Sequence, residues 1–491
     1  MKKSQFKYKV FLGVFCLIVM LSSCYRLQNT SGGGQVDRDI DTRRLDTADI
    51  AVPDGYEIEV IAAGLNFPTS ITFDDEGRAY VTESGYSYGE KWALPRLLRL
   101  NENGQTEVVA AGGINGPWTG SDYSDGYFYI AEGGHLAGGR ILRIDQDGER
   151  EVLADSLPGF GDHHTNSPLI NDGYVYFGQG TATNSGIVGI DSAEFGWLKR
   201  NPDFHDIPCE DISLTGQNFE TVDVLNEESD ENVFTGAYSP FGESTEEGQV
   251  IEGRLPCNGA VMRIPVEGGP VELVAWGLRN PFGLAYSPDG RLFATDNGYD
   301  DRGSRPVWGT GDLLWEIETG TWYGWPDFSG HHSLTDNDEY KAPGEAAIEP
   351  LLAQHPNEPP EPTAIFGVHS SANGIDFSAN AEFGYEGEAF IAQFGDMAPG
   401  VGKVLSPVGF KVVKADVSTG VIEDFAVNKG SRNGPATWLD SGGLERPVDV
   451  KFDPSGETLY IVDFGIMRMS EEGPEPVKET GVVFKITRTE E

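Results

Sequence analysis

FPTSITFDDEGRAYVTESG, residues 67–85, and RPVDVKFDPSGETLYIVDFG, residues 446–465, are one pattern written twice. Each has a polar or Pro entry, an alternating strand, a Gly turn and a second apolar strand. The same pattern returns as GPWTGSDYSDGYFYIAEGG from Gly116, HTNSPLINDGYVYFGQG from His164, NPFGLAYSPDGRLFATDNG from Asn280 and SANGIDFSANAEFGYEGEAFIAQFG from Ser371. Several copies run on into a third strand, as in GRILRIDQDGEREVL from Gly139. No amphipathic helix stands out.

The first two spacings suit a four-stranded propeller blade of about 40–50 residues, and later ones are stretched by insertions, chiefly 186–256 and 299–367. The expectation is an all-β, six-bladed β-propeller of four-stranded antiparallel blades with loop insertions, occupying 51–491. GYEIEVIAAG from Gly55 and GVVFKITR from Gly481 are placed to pair and close the ring. A seven- or eight-bladed ring with degenerate copies is the competing count.

Residues 1–23 read as a signal peptide, with lysines at 2, 3, 7 and 9 ahead of an apolar run from Val10 to Leu21 that is too short for a bilayer span. The run ends Leu21-Ser22-Ser23-Cys24, which resembles a bacterial lipobox, so Cys24 is expected to carry lipid. The polar, Gly-rich stretch to about Ile50 reads as a flexible tether. The chain is thus expected to be exported and held to the cell envelope by lipid alone; the absence of Asp after Cys24 leans towards the outer membrane. Asp and Glu outnumber Lys and Arg by 78 to 35, giving a net charge of −43, which opposes nucleic-acid binding. Cys209 and Cys257 remain, and export favours a disulfide between them that closes an inserted excursion.

In a propeller the first strand of each blade lines the channel, so the residues leading the copies gather at one mouth. Aligned by their turns, these are Phe67, Gly116, His164, Asn280, Ser371 and Arg446, preceded by Asn66, Asn115, His163, Arg279, Ser370 and Glu445. Polar groups converging on a concavity make a candidate active site. Strand alternation sends His163 and His164 to opposite faces, and the register gives the channel to His164, a candidate general base. Arg279 and Arg446 could bind carboxylates through their planar forks. The run Asp296 to Asp301 offers hard oxygens of the kind calcium takes. Trp118, near the mouth, could support a sugar ring, though packing is the commoner use of such a residue.

GDHHTNSPL (161–169), GLRNPFGLAYSPDGRLFATDNG (277–298), WYGWPDF (322–328) and ERPVDVKFDPSGETLYIVDFG (445–465) resemble the glucose/sorbosone dehydrogenase family, and the likeness runs from about Pro53 to Thr487. The resemblance implies pyrroloquinoline quinone and Ca2+ at the mouth, with oxidation of an aldose or related polyol. It implies His164 as general base, Arg279, Asn280 and Arg446 as cofactor contacts, and the Gly298 and Tyr299 carbonyls as calcium ligands. Two departures stand out. Gln179 occupies the place of an aspartate beside the base, and the family's cofactor-contacting lysine has no counterpart in register, Lys403 being nearby. His369 is a candidate to compensate at the cofactor. With no haem-attachment CxxCH in the chain, electrons are expected to leave to an external acceptor, a quinone or cytochrome. Two other readings compete: a metal-dependent propeller lactonase, which would want acids converging on the axis, and a non-catalytic carbohydrate- or protein-binding propeller.

Overall fold

Each repeat folds as a hairpin because its turn chemistry leaves little choice. Asp125-Gly126 and Asp172-Gly173 both sit at positive φ, as a tight two-residue hairpin loop requires. Where the turn is longer, a side chain closes it. Asp74 accepts from the backbone N–H of Glu76 and Arg78 at 3.0 and 2.9 Å, and Asp453 holds Glu457 and Thr458 in the same way, both at 3.2 Å.

The computed structural model describes residues 42–85, 93–101, 104–194, 196–226, 231–397, 403–404, 406–470 and 473–489. The hairpins extend into six antiparallel sheets of the blade type. Their first strands are Pro68–Phe73, Trp118–Ser124, Thr165–Asn171, Pro281–Tyr286, Ala372–Phe377 and Pro447–Phe452, here the inner strands of blades 1 to 6. Each inner strand touches the next, and the sixth touches the first, so the ring is closed at six. Blade 6 is completed by Tyr56–Leu65 pairing antiparallel with Gly481–Arg488, the closure expected from the two ends.

Inner-strand aspartates stitch neighbouring blades. Asp122 accepts from the Ile170 N–H at 2.8 Å, Asp376 from Phe452 at 2.8 Å and Asp449 from Ile71 at 3.2 Å. Between blades, apolar faces interdigitate; the Phe383, Phe390, Phe425 and Phe452 rings meet between blades 5 and 6 with centroids 4.8–6.1 Å apart. Burying one such ring contributes about 1.5–3 kcal/mol.

Cys24 and the signal segment lie outside the described residues. The tether expected to reach Ile50 ends sooner. Arg43 is buried and bonds Asp463 at 2.9 and 3.0 Å, and Ile50–Ala51 pairs with Val421–Asn428 as a fifth strand of blade 5. Strand pairing and a buried ion pair hold this segment despite its polar composition.

The insertions differ somewhat from the expected bounds. One lies between the second and third strands of blade 3, and Cys209 and Cys257 form a disulfide across it. Blade 4 carries two: the loop 297–310 and the excursion between Gly311–Glu316 and Ala364–Val368. The blade 3 and blade 4 excursions pack together through the Leu214–Leu352 bridge and a shared core holding Trp322 and Trp325.

Candidate active site

Closure of the ring brings the inner strands to a cavity of about 140 Å³ that every blade helps to line: Thr69, Thr119, Asn166, Asn280, Ser371 and Val448 come from blades 1 to 6 in turn. Its polar side carries both histidines and Asn297; its apolar side carries Phe282, Phe394 and Phe464. None of the described residues lining it is Asp, Glu, Lys or Arg.

Both His163 and His164 face this cavity, which corrects the expectation of one. Strand alternation does not apply to them because the inner strand begins only at Thr165. His164 Nδ1 donates to the Gly159 carbonyl at 3.1 Å. A carbonyl only accepts, so the proton sits on Nδ1 and Nε2 is left as the basic nitrogen. Burial lowers the His164 pKa from its ordinary value, against the Gly159 bond and Asp162, which raise it. His163 is held harder: Nδ1 donates to the Thr181 carbonyl at 3.0 Å, and burial pushes its pKa down to about 3.

Asn280 lines the cavity, accepting from Asn166 Nδ2 and donating to Asn297 Oδ1, both at 2.8 Å. Arg279 does not line it. Its guanidinium turns to Asp300 at 3.0 Å, Asp162 at 3.4 Å and the Asn184 side chain at 2.9 Å. Arg302 joins the same buried network, pairing with Asp162, with Asp191 at 2.6 Å and with Asp300 at 3.1 Å. Asp300 and Asp162 are held below the usual carboxylate range by these guanidinium groups, which outweigh burial. Arg279 is therefore a neutralised cation behind the wall.

Arg446 is 1% exposed and stands between the Phe394 and Phe410 rings, 5.0 and 5.1 Å from their centroids. Its Nη1 donates to the Gly395 carbonyl at 3.0 Å, while Nη2 has no hydrogen-bond partner. Asp463, which binds the Arg446 backbone N–H at 3.2 Å, gives its side chain to Arg43 instead. Burial lowers the Arg446 pKa to about 10 and raises that of neighbouring Glu445 to about 7.

Trp118 cannot offer a face to a sugar. It is fully buried, its Nε1 donating to Glu132 at 3.2 Å, and Pro117 fronts the cavity in its place. Gln179 is buried and does not line the cavity; it accepts from Thr165 Oγ1 at 2.8 Å and donates to the Pro158 carbonyl at 2.9 Å. Its register explains it. Glu83, Glu132, Gln179, Asp296, Gln393 and Asp463 each stand opposite the first residue of an inner strand. In blades 1, 4 and 6 this residue pins backbone N–H groups leading into that strand, at Asn66, Asn280 and Glu445, over 2.6–2.7 Å. Gln179 is the blade 3 member of a fold-building position. His369 stands behind the wall, 3.5 Å from Asp396; burial opposes its charge, but Asp396, Asp300 and Asp312 outweigh it and raise its pKa. Gly298 and Tyr299 are pinned through their N–H groups to Asp312 at 2.8 Å and Thr310 at 2.6 Å. Lys403 pairs with Glu339 at 2.5 Å.

The residue after the pinning position forms a second ring that the sequence reading missed: Ser84, Asn297, Phe394 and Phe464 all line the cavity. The signal was present, since the same alignment that grouped the leading residues also groups these.

No family model matches the chain, and no curated protein matches it by sequence. Solved structures share its fold. The holo form of the pyranose dehydrogenase PQQ domain from Coprinopsis cinerea superposes with a TM-score of 0.55 at 14% identity, over 89% of this chain and 97% of that one. A calcium structure of a Trichoderma reesei carbohydrate-active enzyme of family AA12 gives 0.52 at 16%, over 95% and 100%. The apo soluble aldose sugar dehydrogenase from Escherichia coli gives 0.50 at 13%, over 88% and 99%. At such identities the shared property is the fold.

Proposed function

We propose that this protein is a sugar oxidoreductase that uses pyrroloquinoline quinone with calcium at the hub. The observation that carries the reading is a histidine with its basic Nε2 left available, in a cavity at the propeller axis whose described lining carries no carboxylate. The propellers of like fold named as a PQQ domain and as an aldose sugar dehydrogenase support it.

A quinone bearing three carboxylates fits two features of this chain. In a protein of net charge −43 the described cavity wall holds no acid, and behind it lies Arg446, a buried guanidinium with an unpartnered nitrogen. Arg279, neutralised by Asp162 and Asp300, contributes rigidity rather than charge. Amides from Asn280 and Asn297 supply neutral hydrogen bonds; calcium would be held by the carbonyls of Gly298 and Tyr299, which follow Asn297 but do not line the described cavity, the Tyr299 carbonyl accepting from Thr310 Oγ1 at 3.3 Å. When bound, the quinone would supply a hydride acceptor for a sugar C–H bond, and calcium would supply Lewis acidity. His164 Nε2 takes the proton of the reacting hydroxyl. The Gly159 carbonyl keeps the proton on Nδ1 and stabilises the imidazolium that forms. Phe282, Phe394 and Phe464 exclude water from the reacting centre. A lactonase would need carboxylates on this wall to grip its metal, and the described lining supplies none.

The wider setting belongs to the same proposal: an exported chain tethered by lipid at Cys24, acting on a sugar and passing electrons to an external quinone or cytochrome. Replacing His164 by Gln tests the chemistry. Turnover with an artificial acceptor should fall by about 10²–10⁴, with quinone affinity unchanged. Retained turnover would remove His164 from the reaction.

A further inference from the structure

A second cavity, about 380 Å³, shares no lining residue with the mouth. The loop around Gly159, Ala182 and the blade 3 insertion enclose it. Its charged residues are Arg200, Arg254 and Asp203, with His205 beside them. Both arginines are exposed, and neither guanidinium has a carboxylate partner among the described residues. That is unexpected where 78 acids compete for 35 basic residues. The floor is apolar and aromatic, with Phe160, Phe204 and Ile207, while His205 Nδ1 is taken by the Asp203 carbonyl at 2.9 Å. Unpaired guanidinium forks recognise carboxylates, and ring faces receive the C–H face of a sugar. Pro158 and Phe160, both in this cavity's wall, flank Gly159, the residue whose carbonyl orients His164. The two cavities therefore share one short loop.

We infer that this cavity binds the carboxylate of an acidic sugar, a uronate unit, beside the mouth. The inference rests on the reading of the mouth as a site for sugars. It concerns binding alone and is tested without turnover. Calorimetric titration of the whole protein with D-glucuronate should give saturable binding that weakens as ionic strength rises. D-glucose and the methyl ester of glucuronate should bind at least about tenfold more weakly, as expected when a charge-assisted pair is lost. The double variant Arg200→Ala, Arg254→Ala should lose about tenfold in glucuronate affinity, whereas Arg446→Met and His164→Gln should leave it unchanged. Because both arginines are exposed, the double variant should keep the wild-type melting temperature. Absence of glucuronate binding to the wild type, or affinity undiminished in the double variant, overturns the inference. Either result leaves oxidation of neutral aldoses as a separate question. Conversely, glucuronate binding to a protein that oxidises no sugar would leave the cavity standing and sink the mouth's assignment.

Discussion

Two arginines adjacent to the mouth carry opposite expectations although both were read as cofactor contacts. Arg279 sits in a closed ion network, so Arg279→Ala removes one of the two guanidinium groups on Asp162 and Asp300, Arg302 remaining, and should destabilise the fold by about 1–3 kcal/mol. Arg446 has an unpartnered Nη2 and no carboxylate in salt-bridge contact among the described residues, Glu445, Asp396 and Asp463 acting on it from farther off. Arg446→Met should leave stability intact while weakening quinone binding by about 2–5 kcal/mol, the range for losing one partner of a buried charge pair. Chemical denaturation paired with quinone titration separates the two, and equal stability losses in both variants would contradict this assignment. For His164 the sign follows from its lowered pKa. The base must be neutral, so kcat/KM should be full at neutral pH and fall only as pH drops through a value below the ordinary 6.5. An acid limb above that value would mean another group is titrating. Sequence placed His164 and Asn280 at the mouth correctly because the repeat register alone fixes them. It misjudged Trp118 and the Arg279 contacts, since which way a side chain turns depends on neighbours such as Glu132, Asp162 and Asp300 that lie in other strands and loops.

The hairpin repeats were legible because each carries its own turn, as Asp172-Gly173 does, and needs no distant partner to be recognised. The inter-blade stitches were not. Asp122, Asp376 and Asp449 look like ordinary strand polar residues until the ring brings Ile170, Phe452 and Ile71 beside them. Gln179 misled for the same reason, a repeat position read as a departure at a catalytic one. The insertions form their own element, stapled by Cys209–Cys257 across 48 residues. Replacing both cysteines by Ser should cost about 2–4 kcal/mol by the loop-closure argument. The loss should show as protease cleavage within 180–259 before the blades unfold. Cleavage spread evenly over the blades would show that the excursion is not a separate unit.

Across the whole molecule, buried acids set the response to pH. Burial raises Asp206, Glu445 and Asp449 to about 7, so each holds its proton more tightly when folded. Their contribution is complete below the unfolded carboxylate range and is lost as pH rises towards 7. His163, lowered to about 3, His135, lowered to about 4, and His164 act in the other direction, contributing above the ordinary histidine value and losing that contribution as pH falls. Asp296, raised by burial to about 6, joins the acids, the four together outweigh the three histidines, and the repulsion of a chain at −43 grows in the same sense. The melting temperature should therefore fall between about pH 5 and pH 8, and Glu445→Gln should flatten the slope; a flat or rising profile in the wild type would contradict this balance. The proposed chemistry depends on a ring that gathers His164 and Asn280, with Arg446 behind them, around a cavity whose described lining carries no carboxylate. Titrating the protein with pyrroloquinoline quinone and calcium, and following aldose-dependent reduction of an artificial acceptor, tests that directly. The expected result is saturable quinone binding with turnover that His164→Gln abolishes. No binding, together with no oxidation across a broad panel of sugars, would contradict it.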